Sequence, residues 1–333
     1  MTRILIVAPS WVGDMVMAQT LLIRLKQLYP DSLIDVLAPA WVLPLVEHMP
    51  QARRGIANPF GHGQLRLMER YRFARQFRDQ YDWAIVLPNS LKSALIPWFA
   101  GIPKRTGFVG ELRYGLLNDA RKLDKAAYPL MVERFALLAE PAGNPVHRPA
   151  GLPHLQVTAE ETALARQTLQ LSDSRPVIAF CPGAEYGPAK RWPTGHFAEL
   201  AQQLVAAGKQ IWIFGSAKDA ELGAAICAQQ PEHCVNLCGK TNLSQALALM
   251  QAVDHVVTND SGLMHVAAAL GKPLTAIYGS SSPQFTPPLS NQAKIVSLNL
   301  SCSPCFKREC PLGHMDCLNK LTADQVLQTM RRR

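Results

Sequence analysis

The sequence predicts an α/β protein of two doubly wound domains facing each other across a cleft. Short apolar runs recur along its 333 residues, each closed by a turn containing Gly, Ser, Pro or Asn. Helical spacing of apolar residues follows those turns, which is the alternation expected of parallel βα units. The pattern breaks at residues 140–153, EPAGNPVHRPAGLP, and then restarts, so the boundary is placed there. The predicted domains are 1–150 and 151–333, the second ending in a Cys-rich tail at 302–317.

Taken in order, Ile4-Leu5-Ile6-Val7 reads as a first buried strand stopped by Pro9-Ser10. It is too short for a signal peptide, so a cytoplasmic protein is expected. Met15 to Leu28 carries Leu21, Leu22, Leu25 and Leu28 at helical spacing. Leu33 to Leu37 and Ala84 to Leu87 are the next strands, the latter ending in Pro88-Asn89-Ser90. Leu65, Leu67, Phe73 and Phe77 mark a helix-like segment studded with Arg66, Arg70, Arg72, Arg75 and Arg78. That segment suits either a solvated face or an anionic membrane surface. In the second half, strands are read at 177–180, 210–214, 255–257 and 274–278, with helices at 196–207, at 217–228 and after Gly262. In such folds ligands sit beyond the carboxyl ends of the strands. The segments to watch are therefore 9–14, 88–92, 181–190, 215–219, 259–265 and 279–286.

Composition narrows the classes. Hydrophobic residues are 48% and charged residues 18%, values of a folded chain rather than a disordered one. No run approaches the roughly 18 apolar residues of a membrane span. Net charge is +9, and residues 1–150, with 19 basic and 12 acidic residues, carry most of it. An anionic partner is expected: a phosphorylated substrate, a lipid surface or nucleic acid. A nucleic-acid reader motif and an aromatic stacking stripe are both missing, so no nucleic acid is expected. The first turn lacks G-x-G-x-x-G, which counts against a nicotinamide dehydrogenase.

The watched segments carry the chemistry. Asp14 opens the first helix; it suits the helix dipole, or a general base at the acceptor. Lys190 follows a Gly-containing loop and suits a pyrophosphate, though the spacing is not that of a Walker loop. Asp260-Ser261-Gly262-Leu263-Met264-His265 starts a helix whose free N–H groups suit an anion. Asp260 could simply cap that helix, and His265 could simply be a core residue. Cys302, Cys305, Cys310 and Cys317 suit a structural zinc, reduced thiols or disulfides. Cys181, Cys227, Cys234 and Cys238 read as buried free thiols.

Six stretches together resemble a known family: Pro9 to Met15, Leu87 to Ala94, Arg113 to Asp119, Cys181 to Pro193, Phe214 to Asp219 and Thr258 to His265. They are similar to the ADP-heptose–lipopolysaccharide heptosyltransferases of glycosyltransferase family 9, closest to the type II members. Glu185 and Tyr186 stand where type I sequences tend to carry Thr, which favours type II. The resemblance implies a GT-B fold, an N-terminal acceptor domain and a C-terminal nucleotide-sugar domain. It implies an inverting transfer of L-glycero-D-manno-heptose from ADP-heptose onto the first heptose of the phosphorylated inner core, heptosyl-Kdo2-lipid A. It also implies no cofactor for catalysis and peripheral work on the inner face of the inner membrane. Carried over by motif, Asp14 is the base and Lys190 offsets charge on the leaving ADP. Gly183, Glu185, Lys190, Ser216, Asp260, Ser261, Gly262, Leu263 and His265 bind the donor. Ser10, Asn89, Ser90, Lys92, Arg105 and Arg113 bind the acceptor. Another acceptor within the family, that of types I or III, is the main alternative.

Overall fold

In the computed structural model, which describes residues 1–61, 63–172 and 174–331, the chain divides into two units, Met1–Pro153 and His154–Arg333. Unit one runs β1 (Arg3–Val7), α1 (Val12–Leu28), β2 (Leu33–Ala38), α2 (Leu43–Glu47), β3 (Arg54–Ala57) and α3 (Leu67–Ala74). It continues with β4 (Trp83–Val86), α4 (Leu91–Phe99), β5 (Lys104–Phe108), β6 (Asp119–Arg121) and α5 (Met131–Leu137). Unit two runs α6 (Ala159–Thr168), β7 (Val177–Cys181), α7 (Thr194–Ala206), β8 (Gln210–Ile213), α8 (Ala220–Cys227), β9 (Cys234–Asn236) and α9 (Leu243–Gln251). Then come β10 (His255–Asn259), α10 (Gly262–Ala269), β11 (Leu274–Ile277), β12 (Ala293–Val296), α11 (Asp316–Asn319) and α12 (Ala323–Arg331).

Each unit holds a parallel sheet with the same topology. The orders are β3-β2-β1-β4-β5-β6 and β12-β11-β10-β7-β8-β9. Both are the doubly wound arrangement, whose chain direction reverses next to the first strand of the unit. That switch lies at the β1/β4 pair in unit one and the β7/β10 pair in unit two, where Val7 pairs with Val86 and Thr258 with Cys181. The α/β fold of two Rossmann-like units expected from the sequence is thus present.

The central strands are buried on both faces, as parallel sheets under helices must be. All five residues of β7 and all four of β4 are buried. Several strands at or near the sheet edges carry charge or small polar groups instead: Arg54-Gly55-Ile56-Ala57 in β3, Lys104 and Arg105 in β5, and Asp119-Ala120-Arg121 in β6. These strands, like β9 and β12, lie outside the sequence expectation because they show neither an apolar run nor a two-residue period.

Part of the positive charge of unit one is consumed internally. Arg53 and Arg54 both grip the buried Asp35 at 2.5 and 2.9 Å, and the Tyr81 hydroxyl donates to the same carboxylate at 2.6 Å. These donors outweigh burial and hold the Asp35 carboxyl below its ordinary range. Arg24–Glu140, Arg121–Asp119 and Arg148–Glu133 are further ion pairs.

The cysteines differ from expectation at one pair. Cys181 and Cys238 are buried free thiols, but Cys227 and Cys234 are disulfide-bonded. The turn from the last residue of α8 to the first of β9 brings their Cα atoms to 5.2 Å, within the range a disulfide bridges.

Candidate active site

Most of the residues named from the sequence follow the carboxyl ends of strands in their own unit, whereas Arg105 lies near the amino end of β5, away from them. In unit two, β7 feeds a loop that ends in a short turn, Pro188–Lys190. Asn259, the last residue of β10, ties that loop down. Its amide donates to Pro182 O at 2.6 Å, and the Trp192 N–H donates to its Oδ1 at 3.1 Å. The next residue, Asp260, accepts from Lys190 Nζ at 2.5 Å. Lys190 is 19% exposed and Asp260 5% exposed, so this is a largely buried charge pair at a strand end. Such a pair is costly unless well made, and leaving one member alone costs more.

Ser261 is the N-cap of α10, and its side chain caps nothing. The amides of Gly262, Leu263 and Met264 therefore point out of the helix start without intrahelical partners. His265, in the same first turn, is buried, and its imidazole is pushed down to about 4. Burial is the main cause; Lys190 pushes the same way and Asp260 opposes it. It is a neutral donor or acceptor at physiological pH, not a cation.

Gly183 and Ser216 meet at a residue the sequence reading passed over. Asp219 Oδ2 accepts from the Ser216 N–H at 2.9 Å and its hydroxyl at 2.8 Å. A Cβ on Gly183 would stand 2.8 Å from that same oxygen, so a side chain there would have to push the carboxylate off its Ser216 bonds. Glu185 is exposed and pairs with Lys218 at 3.3 Å, a surface contact of little energetic weight. At the end of β11, Ser280 and Ser281 are buried with hydroxyls lacking a hydrogen-bond partner among the described residues. Segment 279–286 was suspect for its position after a strand, but burial is what distinguishes these two hydroxyls.

The tail underpins this loop. Tyr186 OH donates to Phe306 O at 2.8 Å, and the Ala189 N–H donates to Arg308 O at 3.0 Å. The Phe306 N–H reaches Ser280 O at 2.7 Å, and the Ser303 hydroxyl donates to Gly279 O. Lys190 and Arg308 both lie against the Tyr186 ring, at 5.1 and 5.3 Å. The structural zinc considered for Cys302, Cys305, Cys310 and Cys317 gains no support. All four are free thiols, and among the described residues no group of three or more His, Cys, Asp or Glu is arranged to hold a metal ion. The chain turns so that the amides of residues 312–315 gather on Cys310, holding its thiol below the usual range. Cys317 is instead pushed up by burial and its three neighbours.

In unit one, Asp14 lies in the first turn of α1 and Ser10 just before it. Trp41, which follows β2, donates its indole N–H to Ser10 O at 3.0 Å. Asn89, Ser90 and Lys92 follow β4, with Ser90 as the N-cap of α4. Arg113, expected to bind the acceptor, is buried and already engaged. It is 1% exposed, and its guanidinium is spent on Phe108 O, Pro88 O, Ser90 O and Asn89 Oδ1. It braces the Asn89–Ser90 turn from beneath, and burial pushes its pKa down to about 10. Arg105 likewise donates to Leu116 O and Ile102 O.

With this geometry in view, comparison with known proteins is informative. Residues 70–316 match the family model of glycosyltransferase family 9 (heptosyltransferase). The chain is 51% identical to lipopolysaccharide heptosyltransferase 2 of Salmonella typhimurium, over 98% of this chain and 97% of that one. It is 48% identical to lipooligosaccharide heptosyltransferase 2 of Haemophilus ducreyi, over 98% of each. The solved structure of E. coli ADP-heptose lipopolysaccharide heptosyltransferase II superposes with a TM-score of 0.90 at 48% identity, covering 99% of this chain and 97% of that one.

Proposed function

Because the chain belongs to glycosyltransferase family 9, the heptosyltransferases, we propose that it transfers L-glycero-D-manno-heptose from ADP-heptose onto the first heptose of the lipopolysaccharide inner core. The observation that supports this choice of acceptor is the near-full-length identity of about one half to relatives named heptosyltransferase 2.

The site residues supply an inverting displacement. Unit one takes the acceptor. Asp14 removes the proton from the attacking hydroxyl as that oxygen bonds to the anomeric carbon of the donor. Unit two takes the donor. The bond from that carbon to the diphosphate breaks, and negative charge builds on the departing ADP. Lys190, already oriented by Asp260, meets that charge without reorganising, which is where electrostatic catalysis is strongest. The α10 amides and the Ser261, Ser280 and Ser281 hydroxyls offer donors to phosphate oxygens. Neutral His265 adds one without a charge of its own. Gly183, Ser216 and Asp219 shape the wall beside the donor, and Asn89, Ser90 and Lys92 face the phosphorylated acceptor.

An anionic membrane is the proposed setting. No described helix is long and apolar enough to cross a membrane. On α3 and the residue before its cap, however, Leu65, Leu67, Met68 and Tyr71 are exposed, with Arg72 and Arg75 one turn further on. The inward side is Arg70, Ala74 and Phe77. An apolar face flanked by arginines suits a bilayer with negative headgroups. Sedimentation with phosphatidylglycerol vesicles should fall for Met68→Glu/Leu67→Glu and be weak for neutral vesicles; equal binding by the variant refutes this surface.

The deciding experiment measures ADP release from ADP-heptose with heptosyl-Kdo2-lipid A or Kdo2-lipid A. Release with the first alone supports the second transfer. Release with Kdo2-lipid A alone moves the enzyme to the first heptose. Asp14→Asn should abolish turnover while leaving ADP-heptose affinity within about threefold, since only the proton acceptor is lost; retained turnover would remove Asp14 as the base.

A further inference from the structure

We propose that Trp11 and Trp41 form the apolar wall of an acceptor subsite that holds a neutral pyranose ring, the acceptor heptose, beside Asp14. This rests on the heptosyltransferase reading above. Of the six tryptophans, Trp192 and Trp212 are fully buried and Trp83 nearly so. Trp98 lies against Phe99. Trp11 and Trp41 differ: they are 57% and 56% exposed, and neither stacks on a protein ring among the described residues. Single exposed apolar side chains are ordinary; what sets these two apart is that Trp11 adjoins Ser10 in the chain and Trp41 bonds to the Ser10 carbonyl.

Their placement is specific. Trp11 is the N-cap of α1, its carbonyl held by the Met15 N–H at 2.8 Å, three positions before Asp14. Trp41 lies in the turn after β2, the strand beside β1, and is pinned across to Ser10 O by its indole N–H. That bond fixes the ring and leaves its faces open. Trp11 thus belongs to the Ser10–Asp14 segment that carries the proposed base, and Trp41 is bonded to it.

The chemistry of the indole selects the occupant. An indole face is apolar and electron-rich, and it suits the C–H face of a sugar ring whose hydroxyls point elsewhere. The same negative face disfavours a ring bearing a carboxylate, such as Kdo. A heptose is neutral, and the acceptor heptose must reach the base because it carries the attacking hydroxyl. Lys92 addresses phosphate; the indoles address the ring.

The test uses the full chain with Trp11→Leu, Trp41→Leu and Trp41→Phe. Both Leu variants should raise the KM for heptosyl-Kdo2-lipid A about tenfold, with the Kd for ADP-heptose within about twofold of wild type. Trp41→Phe loses the bond to Ser10 but keeps an aromatic face, and it should stay within about threefold in KM. In wild type, heptosyl-Kdo2-lipid A should shift tryptophan emission more than Kdo2-lipid A at equal concentration, a measurement that needs no variant. Unchanged acceptor KM in both Leu variants, equal loss of donor affinity, or the same emission shift with both lipids overturns the subsite. Absence of heptosyl transfer by wild type overturns the parent reading instead.

Discussion

Lys190 and Asp260 show how a pair differs from its members. Each is legible in the sequence as a residue after a strand, but 70 positions separate them, and only the β7/β10 neighbourhood brings Nζ to 2.5 Å from the carboxylate. Lys190→Met should destabilise the protein by about 2–3 kcal/mol, because Asp260 is left buried and unpaired. Adding Asp260→Asn should recover most of that stability and none of the turnover. Denaturant titration and ADP release measure the two effects separately; a further loss of stability in the double variant would contradict the pairing account. Arg113 teaches the reverse lesson. Its charge is visible in the sequence and its burial is not, so nothing there shows that the guanidinium braces a turn. Asp219, Ser280 and Ser281 fell in watched segments but were given no role, because acid and hydroxyl residues are common in loops and only burial separates these from the rest.

At the scale of elements, the central strands were legible because burial on both faces makes them continuous apolar runs. β3, β5, β6 and β12 were not, since partial exposure lets Arg, Lys and Asp interrupt the pattern, and β9 is only three residues long. The arginine-rich segment was legible as a helix but not in its orientation: α3 turns Arg70 inward and Met68 outward. The donor loop is an element whose shape depends on a distant one. A Cβ at Gly187 would meet Arg308 O at 2.5 Å, too close for any side chain. Gly187→Ala should therefore push the loop off the tail and weaken ADP-heptose binding about tenfold, with only a small change in thermal midpoint. Calorimetry of donor binding checks this, and unchanged affinity would show that the contact is not limiting.

The molecule as a whole should respond to acid unevenly. His255 and His265, both in unit two, are held neutral by burial, with folded values of about 4. The unfolded chain takes up those protons near pH 6.5, so the unfolded state binds more protons between pH 6.5 and 4. The stability tied to neutral histidine is thus full above about pH 6.5 and declines as pH falls, by up to about 3 kcal/mol for each residue at pH 4. Asp35 in unit one is depressed rather than raised, so its contribution holds until pH falls below the ordinary carboxylate range. Hydrogen exchange followed from pH 7 to 4 should show protection lost first in unit two; parallel loss in both units would contradict this.

The hold of Phe306 and Arg308 on the loop after β7 also bears on synthesis. The loop leaves the ribosome roughly 120 residues ahead of Arg308, a delay of about 6–24 s at typical elongation rates. During that interval the first sheet can already be complete, while Tyr186 and Ala189 still lack the carbonyls that receive them. If unit one takes the acceptor and unit two the donor, as proposed, a nascent chain passes through a stage able to meet a glycolipid but not to grip a nucleotide, so the order of translation sets the order in which its two competences appear.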